Sequence, residues 1–204
     1  VNKGKLQYLT SELLSGTPHC FSTRLGGVSE GYLSSLNLGT HRGDLPENVW
    51  KNYSILGQAV GFRPEDTVFT KQIHSDIVVR VDENNRGKLA VPGASPECDA
   101  LITNDPGTAL CIFTADCTPV LLFDPATGAV GAAHAGWRGT AAKIAGKTAL
   151  EMVRCFGCKP ENIRAAIGPN IAACCFETDR DVPDAVLAED IILACGGNAE
   201  KRER

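Results

Sequence analysis

Histidine is scarce in this chain of 204 residues: His19, His41, His74 and His134 are the whole supply. Any site that needs imidazole must draw on those four, which excludes a centre built from many histidines. A basic surplus is also lacking. Lys and Arg number 20 against 24 Asp and Glu, and the net charge is -4. That argues against a general nucleic-acid binder, which carries clustered positive charge. No apolar run approaches the roughly 18 residues of a membrane helix. Val1 to Leu14 mixes Lys, Asn, Gln and Ser with its apolar residues. It shows neither the apolar region nor the small-residue cleavage site of a signal peptide, so the expected compartment is the cytoplasm. There is no internal repeat, and no P-loop, G-x-G-x-x-G or G-x-S-x-G motif.

What is present is ordinary globular composition, with 43% apolar and 22% charged residues. The length suits a single domain over residues 1–204, able to bury a sizeable core without staples. Cysteine is the exception, with nine copies at no regular spacing. An odd number without an export signal is expected to stay reduced, which frees thiols for catalysis or metal binding.

The apolar pattern predicts a helix over Asn48–Val60, stopped by Gly61, and strands over Thr67–Thr70 and Ile77–Val81. Ala109–Thr114, Pro119–Phe123, Ala129–Ala133 and Ile163–Ile167 read as further strands. Thr140–Phe156 reads as an amphipathic helix with Ile144, Ala145, Ala149, Met152, Val153 and Phe156 on one face. Val182–Cys195 reads as a last helix, and the glycine-rich Phe21–Asp44 as a long loop. Strands and helices mix irregularly, so the expected class is α+β with mixed sheets and flanking helices.

Three residues lie at the ends of apolar runs: His74, Cys117 and His134. Strand ends can converge on one rim of a sheet, and two imidazoles with a thiolate would leave a fourth zinc position open. The spacing alone equally allows two strand-capping histidines and a buried thiol. His134-Ala-Gly-Trp-Arg-Gly-Thr140 joins a strand to a helix, where Arg138 and the helix start suit an anion. It reads as well as a plain turn with Arg138 in water. Arg24, beside Gly26 and Gly27, can reach a pocket, and Asn37 can bond a base or sugar; a surface loop explains both too. Cys155-Phe-Gly-Cys158 falls at a helix C-terminus, where the dipole raises a thiol pKa and disfavours a redox role. Cys174 and Cys175 are expected to be buried structural cysteines.

Taken in order, several stretches resemble a known family. They are Phe21-Ser-Thr-Arg-Leu-Gly-Gly27, Ser35-Leu-Asn-Leu-Gly39, Lys71-Gln-Ile-His-Ser75, Cys98-Asp-Ala100, Thr114-Ala-Asp-Cys-Thr-Pro119, His134-Ala-Gly-Trp-Arg-Gly139, Ile167-Gly-Pro169 and Cys174-Cys-Phe-Glu177. Together they are similar to the YfiH/YlmD family, once called multicopper polyphenol oxidoreductases or laccase-domain proteins. The resemblance spans roughly residues 18 to 180. It implies a zinc site of His74, Cys117 and His134, and a fold shared with a deamidating toxin that uses a Cys/His pair. It implies phosphorolysis of adenosine, inosine and methylthioadenosine, together with adenosine deamination. Family chains usually continue into a further C-terminal section, so the expectation is that this section is missing here.

Four functions follow for testing. In a zinc-dependent nucleoside phosphorylase and deaminase, Cys117, His134 and Asp116 are the catalytic candidates, and Arg24, Asn37 and Arg138 bind nucleoside or phosphate. A copper polyphenol oxidase would use the same His/Cys/His set. Only His19 and His41 would then remain for an oxygen-reducing cluster, which argues against a multicopper enzyme. A metal-free Cys117/His134 amide hydrolase, of the kind that edits peptidoglycan precursors, needs only thiol and imidazole in contact. A non-enzymatic binding module has little support. The expected partners are purine nucleosides and phosphate, with no nucleic acid and no membrane; the oligomeric state is open.

Overall fold

The computed structural model describes residues 5–87 and 95–188. The chain opens with a short antiparallel pair, β1 (Tyr8–Leu9) and β2 (Phe21–Ser22). A long loop leads to α1 (Pro46–Val60), then β3 (Thr67–Phe69) and β4 (Val78–Arg80). Next come β5 (Ala100–Thr103), β6 (Ala109–Cys111), β7 (Thr118–Phe123) and β8 (Val130–Ala135). Two helices follow, α2 (Trp137–Ala141) and α3 (Ile144–Phe156), then β9 (Arg164–Ile167) and α4 (Asp181–Ala188).

The central sheet has five strands in the order β4-β5-β8-β7-β9, and β3 pairs with β6 in a separate parallel pair. Within the central sheet β4 and β5 run parallel and the other pairings are antiparallel. This is the mixed α+β arrangement that the irregular pattern predicts.

Alternation along the strands decides the layers. Ala100 and Ile102 of β5, with Val120 and Leu122 of β7, face α3, whose Ile144 and Met152 are fully buried there. Leu101 points the other way and packs with Val68, toward the β3-β6 pair. Leu121 and Phe123 turn to Leu14 near the N-terminus. Val49 and Tyr53 of α1 cover the outside of the small pair against Phe69. Each large apolar side chain fully buried in these layers contributes about 1.5–3 kcal/mol relative to exposure. The apolar face anticipated for α3 is the one that packs on the sheet.

Several boundaries differ from the pattern. The first helix begins at Pro46, whose fixed φ suits a first helical position, and Gly61 closes it in the left-handed region at φ 103°. The expected single helix over 140–156 is two, because Lys143 adopts φ 62°. This break lets α3 start with Ile144 buried in the sheet while Gly139 of α2 sits against the Ser75 carbonyl. β6 stops at Cys111 rather than Thr114, since the Phe113 backbone bonds the Gln72 side chain instead of a strand. β5 lies outside the strands that the pattern predicts, since only Leu101 and Ile102 are large apolar residues there, between Ala100 and Thr103. Of the last expected helix, residues 181–188 are helical, and the remainder lies outside the described residues. Among the described residues no helix is long and apolar enough to cross a membrane.

Candidate active site

The sheet brings four strand ends to one rim. The His74 loop precedes β4, Asp99 precedes β5 and Cys117 precedes β7, while His134 lies at the far end of the antiparallel β8. His74, Cys117 and His134 converge there, with one ligand atom from each within 4.8 Å of the others. His134 is buried, Cys117 is half-buried and His74 is exposed, so the cluster opens on one side.

Asp99 ties the cluster together. It is fully buried, and its Oδ1 lies 2.8 Å from His134 Nδ1. The same oxygen accepts the His74 N–H at 3.1 Å. Oδ2 accepts the Ser75 N–H at 2.6 Å, the Ser75 hydroxyl at 2.8 Å and the Ile73 N–H at 3.2 Å. Burial by itself would raise this carboxyl, but the bonds from Ser75, His134 and Ile73 outweigh it and hold Asp99 below the usual carboxylate range. An ionised Asp99 makes His134 Nδ1 the donor, which leaves Nε2 with its lone pair for a metal or a thiol. The His74 backbone sits at φ 59°, uncommon for a non-glycine residue, and its N–H bond to Asp99 supports that conformation.

The site also has a cradle with no room for a side chain. A Cβ built on Gly136 would lie 3.1 Å from His74 Cδ2, 3.3 Å from Cys117 Sγ and 3.6 Å from His134 Cε1. Two imidazoles and one soft sulfur around such a cradle fit a three-ligand zinc centre with one open position. Burial, then the carboxylates of Asp116 and Asp99, push the Cys117 thiol up. A cation among the three donors would oppose that push, whereas a metal-free nucleophile would have to overcome it.

A cavity of about 1360 Å³ takes in all three residues together with Asp116, Arg24, Asn37, Arg42, Gln72 and Phe113. Asp116 is exposed beside Cys117, and its carbonyl accepts the Ile171 N–H at 2.9 Å. Arg24 spends Nε and Nη2 on the Ser34 carbonyl at 3.1 and 2.8 Å, and Nη2 also reaches the Tyr32 carbonyl. Asn37 donates to Asp44 at 2.9 Å and accepts the Gly39 N–H at 3.0 Å. Both residues therefore help to build the long loop, which buried Asn52 pins through Val28, Ser29 and the Asn37 carbonyl. Arg138 is exposed, stacks over the Trp137 ring at 4.0 Å and is not in the cavity wall. The helix after His134 has only five residues, too short for the anion-attracting start that the sequence suggested.

The remaining candidates sort on simple grounds. His19 accepts the Ser11 N–H at Nε2 and bonds the Thr17 carbonyl at Nδ1, so both of its nitrogens are taken. The eight cysteines among the described residues are free thiols. Cys158 is buried, and burial pushes its thiol up, against a redox role. Cys174 and Cys175 are exposed rather than buried, because the turn that carries them lies outside the packed layers. Asp99, Ser75 and Arg42 were not singled out by residue pattern. Asp99 and Ser75 lie within stretches that carry the family resemblance, and Asp99 is an acid placed directly before the buried run Ala100–Thr103.

The chain is similar to several known proteins. A relative from Deinococcus radiodurans named purine nucleoside phosphorylase is 44% identical over 165 residues, 81% of this chain and 61% of that protein. Purine nucleoside phosphorylase YfiH from Escherichia coli is 42% identical over 175 residues, 86% of this chain and 67% of its own length. The chain thus spans about three-fifths to two-thirds of these relatives. The crystal structure of YlmD from Geobacillus stearothermophilus superposes with a TM-score of 0.83 at 33% identity, covering 91% of this chain and 72% of that one. Residues 18–203 match the family described as multi-copper polyphenol oxidoreductase laccase. The chain belongs to this laccase-domain family, the family of YfiH and YlmD.

Proposed function

We propose that the chain acts as a zinc-dependent purine nucleoside phosphorylase on adenosine, inosine and methylthioadenosine, with an adenosine deaminase activity at the same site. The observation that carries this reading is the convergence of His74, Cys117 and His134 around the Gly136 cradle, with Asp99 orienting His134. The names of the relatives support the substrate class.

His74, Cys117 and His134 would hold the zinc. When bound, zinc supplies Lewis-acid polarisation of an oxygen brought to its open position. Asp99 keeps His134 in one tautomer and holds the His74 loop in place, which limits how far the donors must move to bind. Asp116, exposed in the cavity wall beside Cys117, is the group we assign to passing a proton. In phosphorolysis a phosphate oxygen attacks the ribose C1′ while the bond to the purine nitrogen breaks, and the departing base takes up a proton. We assign the phosphate to Arg24, a planar cation in the cavity wall suited to its oxygens; Arg138, outside that wall, is not given this role. Asn37, in the same cavity wall, is the residue we assign to the nucleoside. The free thiols fit a reducing compartment, and we place the protein in the cytoplasm.

The Asp99–His134 pair beside a thiol also suits a Cys/His amide hydrolase. The converging His74, which such an enzyme does not need, and the raised Cys117 thiol weigh against it. A multicopper oxidase would need His19, whose two nitrogens are already used.

The test is phosphate-dependent conversion of inosine to hypoxanthine, which is expected in the zinc-loaded chain and lost in Cys117→Ala. Arg24→Lys, which keeps the charge and loses the planar fork, is expected to raise the KM for phosphate about tenfold, the size of one charge-assisted bond. Unchanged phosphate dependence would remove Arg24 from that role.

A further inference from the structure

Phe113 stands where the packed interior meets the cavity. It follows β6, four residues before Cys117, and lines the same cavity as the three converging side chains. Phenylalanine is usually buried, yet this ring is 38% exposed. What lies behind it is rigid. The ring is nearly parallel to buried Phe69, with centroids 5.7 Å apart and planes at 15°. Phe69 in turn meets Tyr53 edge-on at 5.6 Å, and the Tyr53 hydroxyl donates to the Leu38 carbonyl at 2.9 Å. An aromatic column therefore runs from α1 to the cavity and ends in an open ring.

The backbone of Phe113 is held as firmly. Gln72 Nε2 donates to the Phe113 carbonyl at 2.7 Å, and Gln72 Oε1 accepts the Phe113 N–H at 2.7 Å. Gln72 lies two residues before His74. This two-point pairing stitches the loop that carries His74 to the loop that carries Cys117, at the residue whose ring lines the cavity. Because both polar ends of the Gln72 amide are engaged, Gln72 acts as a positioning residue rather than as a reader of substrate.

A fixed, part-exposed aromatic ring beside a reactive centre is a stacking surface for a flat heterocycle. We infer that Phe113 is the platform on which the purine base lies, with Gln72 fixing its distance from His74 and Cys117; this rests on the nucleoside reading above. The platform sets affinity for the base and has no part in bond cleavage.

The experiment compares the zinc-loaded full chain with Phe113→Leu and Phe113→Tyr, measuring inosine phosphorolysis, equilibrium binding of free hypoxanthine, zinc content and Tm. In Phe113→Leu the KM for inosine and the Kd for hypoxanthine are expected to rise about tenfold, with kcat and zinc content far less affected. Phe113→Tyr is expected to recover most of the lost affinity, because it restores the ring. Wild-type affinity in a folded Phe113→Leu overturns the platform and leaves the nucleoside reading standing. Equal losses in the leucine and tyrosine variants also overturn it, since packing rather than stacking would then be at stake. A parent chain that neither binds hypoxanthine nor cleaves inosine overturns the nucleoside reading and the platform together.

Discussion

Asp99→Asn is expected to weaken metal binding roughly 10- to 100-fold, the usual cost of losing the carboxylate behind a ligating histidine. The same change should destabilise the fold by about 3 kcal/mol, because buried donors lose their acceptors. Five donors converge on this side chain: the N–H groups of residues Ile73, His74 and Ser75, the Ser75 hydroxyl and His134 Nδ1. An amide has only one oxygen. If its nitrogen replaces Oδ1, it faces the His74 and His134 donors; if it replaces Oδ2, it faces Ile73 and both Ser75 donors. Neither orientation satisfies both sets. The pH dependence carries a second signature. The folded pKa of Asp99 lies below its unfolded value, so its stabilisation is complete above an unfolded carboxylate pKa of about 3.9. It is lost as the pH falls through the lower folded value. The acid side of the stability profile should therefore be shallower in Asp99→Asn, as read by urea melts across pH. A variant with unchanged metal affinity would show that Asp99 does not orient the ligands.

Gly136→Ala is expected to separate the site from the fold. The new methyl would sit 3.1 Å from a His74 ring carbon and 3.3 Å from the Cys117 sulfur, so both must move by a few tenths of an ångström. Zinc–ligand distances tolerate only about 0.2 Å. Zinc content is expected to fall well below that of the parent chain, with activity down on the order of 100-fold. Stability of the metal-free chain should change little, because Gly136 has φ -67°, which alanine adopts freely, and the substitution restricts the unfolded chain by about 0.4–1 kcal/mol. Full zinc content in Gly136→Ala would mean that the three side chains do not form the centre described here. The contrast between the two variants is informative in itself: Asp99→Asn loses stability and metal together, and Gly136→Ala loses metal alone.

The sequence made the three converging residues visible because each ends an apolar run, and strand ends of alternating direction meet at a sheet rim. It did not show Asp99 as their support. A carboxylate that receives three consecutive backbone N–H groups leaves no spacing pattern of its own, since two of its partners are 24 and 35 residues away. Arg24 and Asn37 read as pocket residues from the glycine-rich stretches around them, and both line the cavity; the structure adds that the same loop uses their hydrogen bonds to hold its shape. The break at Lys143 was hidden for a similar reason. The apolar period runs through it undisturbed, and only the packing of Ile144 against the sheet forces the turn. The class of fold was easier to read, because short strands separated by turn residues and interrupted by amphipathic helices leave few layered arrangements.

The measurement that bears most directly on the central claim is metal content by mass spectrometry, on protein purified without added metal and without a histidine tag, beside Cys117→Ala. About one zinc per chain is expected, as for a three-ligand centre, and its loss in the variant. A folded chain that holds no zinc, or one that holds it equally well without the Cys117 sulfur, would contradict the zinc centre and favour the Cys/His hydrolase.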